Sequence, residues 1–341
     1  MDWEVSKPMN ILLVSSRQWR PEDEWARIGL KGLLLQAFGS PINFCLYDTN
    51  PDLLAFDGHQ RTHRYALQSN SFRHQSLIPF SAIVVAGAQS WCGGSLEMLY
   101  GLICKTDIPF FLLGVSLPVG PTKLSELDRQ CFSRPNSTLV ARDKRTHTFL
   151  SQYGLAASLL PSPICFVENP GPRDIAPNRA RIGIVLESNP QLGGKGEVTT
   201  LSLCKAISSL PNTYSWEIIC PRMDDFMRFS TMFRNVCFHS YDPTDYIKKI
   251  SSLEVIATTN PTVADLANSL EAASLFIQKD NALSEAGDGH LKCRPSDLIT
   301  GIENALVLSR QVETLRSKKQ AAQTQWRSFL IEKTGKLKKA A

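Results

Sequence analysis

The side chains able to bind or react fall in short stretches that separate apolar runs. In "RQWRPEDEW" (residues 17–25), Asp23 and Glu24 follow Glu22. Carboxylates there could accept a sugar hydroxyl or act as a base. They could equally be acids placed at a positive helix end. Trp19 and Trp25 of the same stretch offer a stacking surface or core packing, and Trp25 is read as core. In "VVAGAQSWCGGSLE" (84–97), three glycines allow a sharp strand-to-helix turn, and Gln89 and an exposed Trp91 would face a ligand. "FFLLGVSLPVGP" ends a buried run on Gly114 and Ser116, which allow close approach of a ligand and are also what a buried strand needs in order to turn. "LVARDKRTHTFL" places Arg142 and Asp143 at a strand end, then Lys144 and Arg145 in a first helical turn that disfavours cations. "ESNPQLGGKGE" (187–197) is a glycine-rich loop with Lys195, suited to a phosphate or to a mobile connection. His239 ends "VCFH". "EVIATTNPTVADLANSL" (254–270) reads as buried strand, uncharged turn and helix, with Thr259 or Asn260 as cap and Pro261 in the first helical position. Amides at that end could receive an anion.

Several chemistries lack their signature. The Walker spacing, G-x-G-x-x-G, G-x-S-x-G and H-E-x-x-H do not occur. No cofactor and no metal are therefore expected. The nine cysteines include no C-x-x-C and sit in apolar runs, as buried free thiols of a reducing compartment do. A net charge of +5 spread over 341 residues does not suggest nucleic acid. No apolar stretch reaches the length of a membrane span, and the first residues do not resemble a targeting signal, so a cytoplasmic location is expected. The basic tail "KTGKLKKAA" reads as a solvated end, with weak membrane-surface contact as the alternative.

The elements that must position these residues alternate strand and helix. "NILLVSS", "INFCLYD", "SAIVVAG", "IPFFLLGV" and "STLVARD" are strand-like runs, each followed by a helical or irregular segment. "ENPGPRDIAPNRA" then interrupts with three prolines, as a linker does. The pattern restarts with "RIGIVLES", "SWEIICP", "VCFHSY", "EVIATT" and "SLFIQ", the last strand expected. Asp242 and Pro243 mark one helix start, as N-cap and first helical residue. The expected class is α/β: two facing Rossmann-like domains with mostly parallel sheets, plus C-terminal helices. The expected bounds are 9–167, a Pro-rich linker at 168–180, 181–300, and a helical and basic end at 301–341.

Strings in this order resemble the polysaccharide pyruvyl transferase family: "EDEWARIGLKGLL", "AIVVAGAQSWCGGSLEMLY", "IPFFLLGVSLPVG", "LVARDKRTHTFLSQYGL", "LLPSPICF" and "FHSYDPTDYIKKISSLEVIATT". The resemblance runs over about residues 9–285. It implies a GT-B-like fold and transfer of a pyruvyl group from phosphoenolpyruvate to a carbohydrate acceptor, in exopolysaccharide-type carbohydrate biosynthesis. The family's Arg-x-His motif falls on Thr259 and Pro261, which supply neither the cation nor the acid, and Glu271 and Ala273 stand where a Gly-x-Pro turn is usual. Arg142, Lys195 or His239 would have to supply the missing charge. Two other readings follow. One is a non-catalytic carbohydrate-binding or assembly protein on the same fold. The other is a GT-B glycosyltransferase using a nucleotide-sugar, with Glu271 as the candidate grip on the donor ribose.

Overall fold

The computed structural model describes residues 9–15, 21–38, 41–48, 77, 79–86, 91–92, 96–117, 122–171, 180–186, 195–233, 237–277 and 290–334. Side chains at 15, 23, 46–48, 86, 195–201 and 334 are not among those described. The chain divides into two compact units, one of residues 1–166 with 322–341 and one of residues 167–321.

The first unit runs β1 (Met9–Ser15), α1 (Pro21–Phe38), β2 (Ile42–Asp48), β3 (Ala82–Ala86), α2 (Glu97–Ile103), β4 (Phe110–Val115), α3 (Glu126–Phe132), β5 (Ser137–Ala141), α4 (Lys144–Gln152) and β6 (Ala157–Leu159). A 3-10 turn, Pro163–Phe166, follows. The strands form one six-stranded sheet in the order β2-β1-β3-β4-β5-β6, and every pairing is parallel. A parallel sheet is covered on both faces, which is why its strands read as continuous apolar runs. In β1, Leu12 and Val14 enter one core cluster with Leu99, Tyr100 and Phe132, while Ile11 and Leu13 enter the other with Leu30 and Leu33. Trp326 and Leu330, far along the chain, complete that second cluster.

The 3-10 turn acts as a wedge. A Cβ placed on Gly29 of α1 would lie 2.3 Å from the Pro163 carbonyl oxygen, so helix and turn meet backbone to backbone. Gly114 in β4 has φ +66° beside a register shift between Leu113 and Val115, and a Cβ there would lie 2.4 Å from Pro163 Cδ. The ligand approach expected at Gly114 is thereby corrected: the chain's own Pro163 makes the close approach and fills that space. A glycine in the left-handed region at a bulge is what that approach requires.

The second unit runs β7 (Arg181–Val185), α5 (Lys195–Ser208), β8 (Ser215–Ile219), α6 (Met223–Met232), β9 (Cys237–Phe238), α7 (Pro243–Ser251), β10 (Val255–Thr258), α8 (Pro261–Ser269), β11 (Ala273–Ile277), β12 (Leu291–Cys293) and α9 (Leu298–Ser309). Its six strands are also parallel, in the order β12-β11-β10-β7-β8-β9. Renumbered within the unit, this is the Rossmann order 3-2-1-4-5-6. β12 corrects the expectation that "SLFIQ" is the last strand. Its three residues, Leu-Lys-Cys, carry no apolar run because they form an edge with Lys292 exposed. The final helix, α10 (Val312–Thr334), is divided between the units after Ala321. Among the described residues, no helix is long and apolar enough to cross a membrane.

Candidate functional site

In an open parallel sheet, ligands collect at the C-terminal strand ends, where neighbouring strands send their connections in opposite directions. In the second unit that point lies between β7 and β10. β7 leads toward β8 and β9, whereas β10 leads toward β11 and β12. Two segments border it. After β7 the chain passes through 187–194, outside the described residues, and re-enters at Lys195, the first residue of α5. After β10 it passes through Thr259 and Asn260 into α8.

The β10 side is built from short hydrogen bonds. Thr258 is fully buried, and its Oγ1 accepts the Asn260 N–H at 2.9 Å. The Thr259 N–H donates to the Val185 carbonyl at 3.3 Å, which ties the turn to the end of β7. Asn260 Oδ1 accepts the N–H groups of Thr262 (2.8 Å) and Val263 (3.3 Å). Pro261 has no N–H, and the Ala264 N–H donates to the Asn260 carbonyl at 3.1 Å. The early donors of α8 are therefore all engaged, which corrects the expectation that amides at Thr259–Pro261 stand ready for an anion. An anion would have to displace the Asn260 carboxamide. What the turn presents is neutral and polar, and Thr259 is its partly exposed member.

The other residues singled out in this unit do not gather at that point. His239 follows β9, at the far edge of the sheet. Its Nδ1 lies 2.8 Å from the Cys220 carbonyl oxygen, so Nδ1–H donates, and its ring sits against Phe226 and Tyr241 at 5.6 and 5.0 Å. Nε2 is buried, with no hydrogen-bond partner among the described residues. Glu271 lies beyond the C-terminal end of α8, opposite the strand ends where a donor ribose would sit. It has φ +63° and accepts from Arg316 Nε at 3.0 Å. Its expected role as a ribose grip is thereby corrected. The positive φ explains why a glycine would suit this position.

In the first unit, the segments leaving β1 and β3 lie outside the described residues, and Gln89 and the Asp23 side chain with them. Glu24 is paired with Arg27 on the same helix. Trp91 is fully buried, which corrects its expected exposure. Its indole N–H donates to the Ser116 carbonyl at 2.9 Å, and its ring packs 5.8 Å from Phe132. The paired glycines after it gave a false sense of an open turn. The string cannot show that Phe132 and Phe149 pack on that ring from other elements.

The structure does join two stretches that the sequence offered separately. The Leu117 N–H, just past β4, donates to Thr146 Oγ1 of α4 at 2.8 Å. The Arg142 N–H donates to the Val115 carbonyl at 3.0 Å. Asp143 caps α4 through the Thr146 N–H at 2.7 Å. One face of α4, with Lys144, Arg145, Thr148 and Phe149, and Leu117 line a cavity of about 460 Å³. It lies at the C-terminal strand ends of this sheet and carries two cationic side chains.

Several buried thiols are held in the neutral form. All nine cysteines are free. Burial pushes Cys92 up to about 12, with Asp128 adding to the shift, and raises Cys131 and Cys220 further. Neutral thiols are poor nucleophiles. Among the described residues, no group of His, Cys, Asp and Glu is placed to hold a metal.

Comparison with family models finds no match, and the same holds for curated sequences. The fold, by contrast, matches solved structures over most of the chain. A UDP-GlcNAc 2-epimerase from Neisseria meningitidis, solved with UDP-GlcNAc bound, superposes with a TM-score of 0.55 at 12% identity, covering 96% of this chain and 100% of that one. A UDP-GlcNAc 2-epimerase from Methanocaldococcus jannaschii gives 0.55 at 11% identity, covering 87% and 93%. The architecture is GT-B-like: two α/β domains, each on a six-stranded parallel sheet. The family resemblance read in the sequence finds no support beyond that fold.

Proposed function

We propose that the protein is a nucleotide-sugar-dependent enzyme of GT-B architecture, with the nucleotide portion seated on the second unit at the ends of β7 and β10. The observation that carries this reading is the Rossmann strand order, whose crossing point is bordered by the neutral turn Thr258–Asn260. A nucleoside offers hydroxyl and base edges that pair well with uncharged polar groups. Its diphosphate would lie toward the glycine-rich approach to Lys195. The UDP-GlcNAc complex of the Neisseria protein makes this ligand class the natural first choice.

Phosphoenolpyruvate suits the same turn less well. Its phosphate and carboxylate need fixed cations. Thr259 and Pro261 supply none, and the α8 amides that might have substituted are held by Asn260. Pyruvyl transfer to a carbohydrate is therefore set behind the nucleotide-sugar reading.

Thermal-shift and calorimetric titration with UDP, GDP and TDP, alongside phosphoenolpyruvate, tests the choice. A ligand at a hundred times its Kd stabilises by about 2.7 kcal/mol, an ample shift. Stabilisation by one nucleoside diphosphate and not by phosphoenolpyruvate is expected. Binding of phosphoenolpyruvate alone would reverse the ranking, and millimolar nucleotides without effect would overturn the proposal.

A further inference from the structure

The cavity of about 460 Å³ in the first unit has no part in the nucleotide-sugar reading, whose residues belong to the second unit. α4 supplies most of its lining: Lys144, Arg145, Thr148, Phe149 and Gln152. Spaced alternately by one and three residues, they form one face of that helix. Thr146 and Leu150 belong to its other side, and both are buried. Leu117, just past β4, adds an apolar wall. Lys144, Arg145, Thr148 and Gln152 are exposed, so a ligand can reach them. The volume falls in the range of small-ligand pockets.

Charge is the first feature of this face. Lys144 and Arg145 stand in the first turn of α4, which holds no acidic residue, although a helix N-terminus disfavours cations. The adjacent carboxylate, Asp143, is engaged on the buried side. Its Oδ1 accepts the Thr146 N–H at 2.7 Å and its Oδ2 accepts the Thr146 hydroxyl at 2.9 Å. Two cations and the positive helix end therefore act at one place, and their common field favours an anion. Thr148 lies one turn on from both cations and adds a hydroxyl. The second feature is Phe149. Its ring is fixed by edge contacts with Trp91 and Tyr153, at 6.5 and 5.2 Å between centroids. An aromatic wall already held in place packs on a small ring at little entropic cost.

We propose that this cavity binds a small sugar phosphate. Its phosphate lies on Lys144, Arg145 and the Thr148 hydroxyl, and its ring lies on Phe149, with Gln152 in reach of ring hydroxyls. A dianion matches two cations, and separate donors around it suit a tetrahedral group better than a planar carboxylate.

Calorimetric titration of glucose-6-phosphate into the full-length protein tests this. Glucose serves as the uncharged analogue and inorganic phosphate as the anion without a ring. Wild-type protein should bind glucose-6-phosphate at least about tenfold more tightly than either control. Lys144→Gln with Arg145→Gln should weaken that binding at least about tenfold. The double variant should melt no lower than wild type, because both cations leave a turn that disfavours them. Thr148→Val keeps both charges and should weaken binding by about two- to tenfold, a measure that stands if the double variant does not fold. Saturating UDP should not displace the sugar phosphate. A protein that binds glucose-6-phosphate in this way without binding UDP would support this site while overturning the nucleotide-sugar reading. Equal binding by wild type and the double variant, inorganic phosphate binding as tightly as the sugar phosphate, displacement by UDP, or no glucose-6-phosphate binding at all would each overturn the assignment.

Discussion

Replacing Asn260 by Ala probes the β7–β10 site where its geometry is most specific. The carboxamide oxygen holds two amides, at 2.8 and 3.3 Å, in a residue that is 5% exposed. A helix cap contributes about 0.5–2 kcal/mol. Burial moves this one toward the upper end, because each amide released stays out of reach of water. The expected loss is about 2 kcal/mol, or roughly 4–8 °C in Tm for a domain of this size. Urea unfolding followed by circular dichroism would measure it. The same change uncovers two donors at the positive end of α8, where a phosphate is favoured. Inorganic phosphate should therefore bind Asn260→Ala more tightly than wild type and recover part of the lost Tm, whereas a nucleoside diphosphate, which loses a polar partner for its nucleoside, should bind no more tightly. A loss below about 0.5 kcal/mol would show that the two bonds do little. A destabilised variant that inorganic phosphate fails to rescue would refute the idea that cap and anion compete for the same donors.

Three further outcomes follow from the packing. Gly29→Ala should destabilise by about 1–3 kcal/mol in urea unfolding, because the added Cβ would lie 2.3 Å from the Pro163 carbonyl oxygen, outweighing alanine's advantage of about 1 kcal/mol in a helix. Glu271→Gly should be neutral or stabilising by up to about 1 kcal/mol: it relieves the left-handed backbone at φ +63° and gives up an exposed pair with Arg316 that is worth little. Cys92, with its thiol pushed up to about 12, should resist iodoacetamide at pH 8 in the folded protein and react once urea exposes it. The sign of the linked pH effect is fixed. Above the unfolded thiol pKa the folded state binds more protons, so stability should fall as pH rises from about 9 toward 12.

The elements were legible where local chemistry decides them. "IPFFLLGV" is apolar throughout because β4 is buried on both faces. Asp242 and Pro243 announce α7, and the Asp242 carboxylate accepts the Thr244 N–H at 2.8 Å. Asn260 and Pro261 announce α8 in the same way. What stayed hidden depends on partners remote in sequence. Trp91 reads as available because its neighbours are glycines, yet Phe132 and Phe149 pack against it. The occupied amides of α8 were also invisible, because a cap and an anion site share one sequence signature.

The distribution of the last helix bears on how the chain is made. Trp326 and Leu330 are fully buried in the core of the first unit, where the Trp326 indole N–H donates to the Pro161 carbonyl at 2.8 Å and Gln323 Nε2 to that of Cys165 at 2.9 Å. Domains generally fold during synthesis in order from the N-terminus. Here the ribosome must deliver the whole second unit before the first can close its core over Leu30 and Leu33. Until then that apolar face is open in the nascent chain, a natural point for chaperone engagement. A premature stop ahead of Trp326 would thus harm the part of the protein made first.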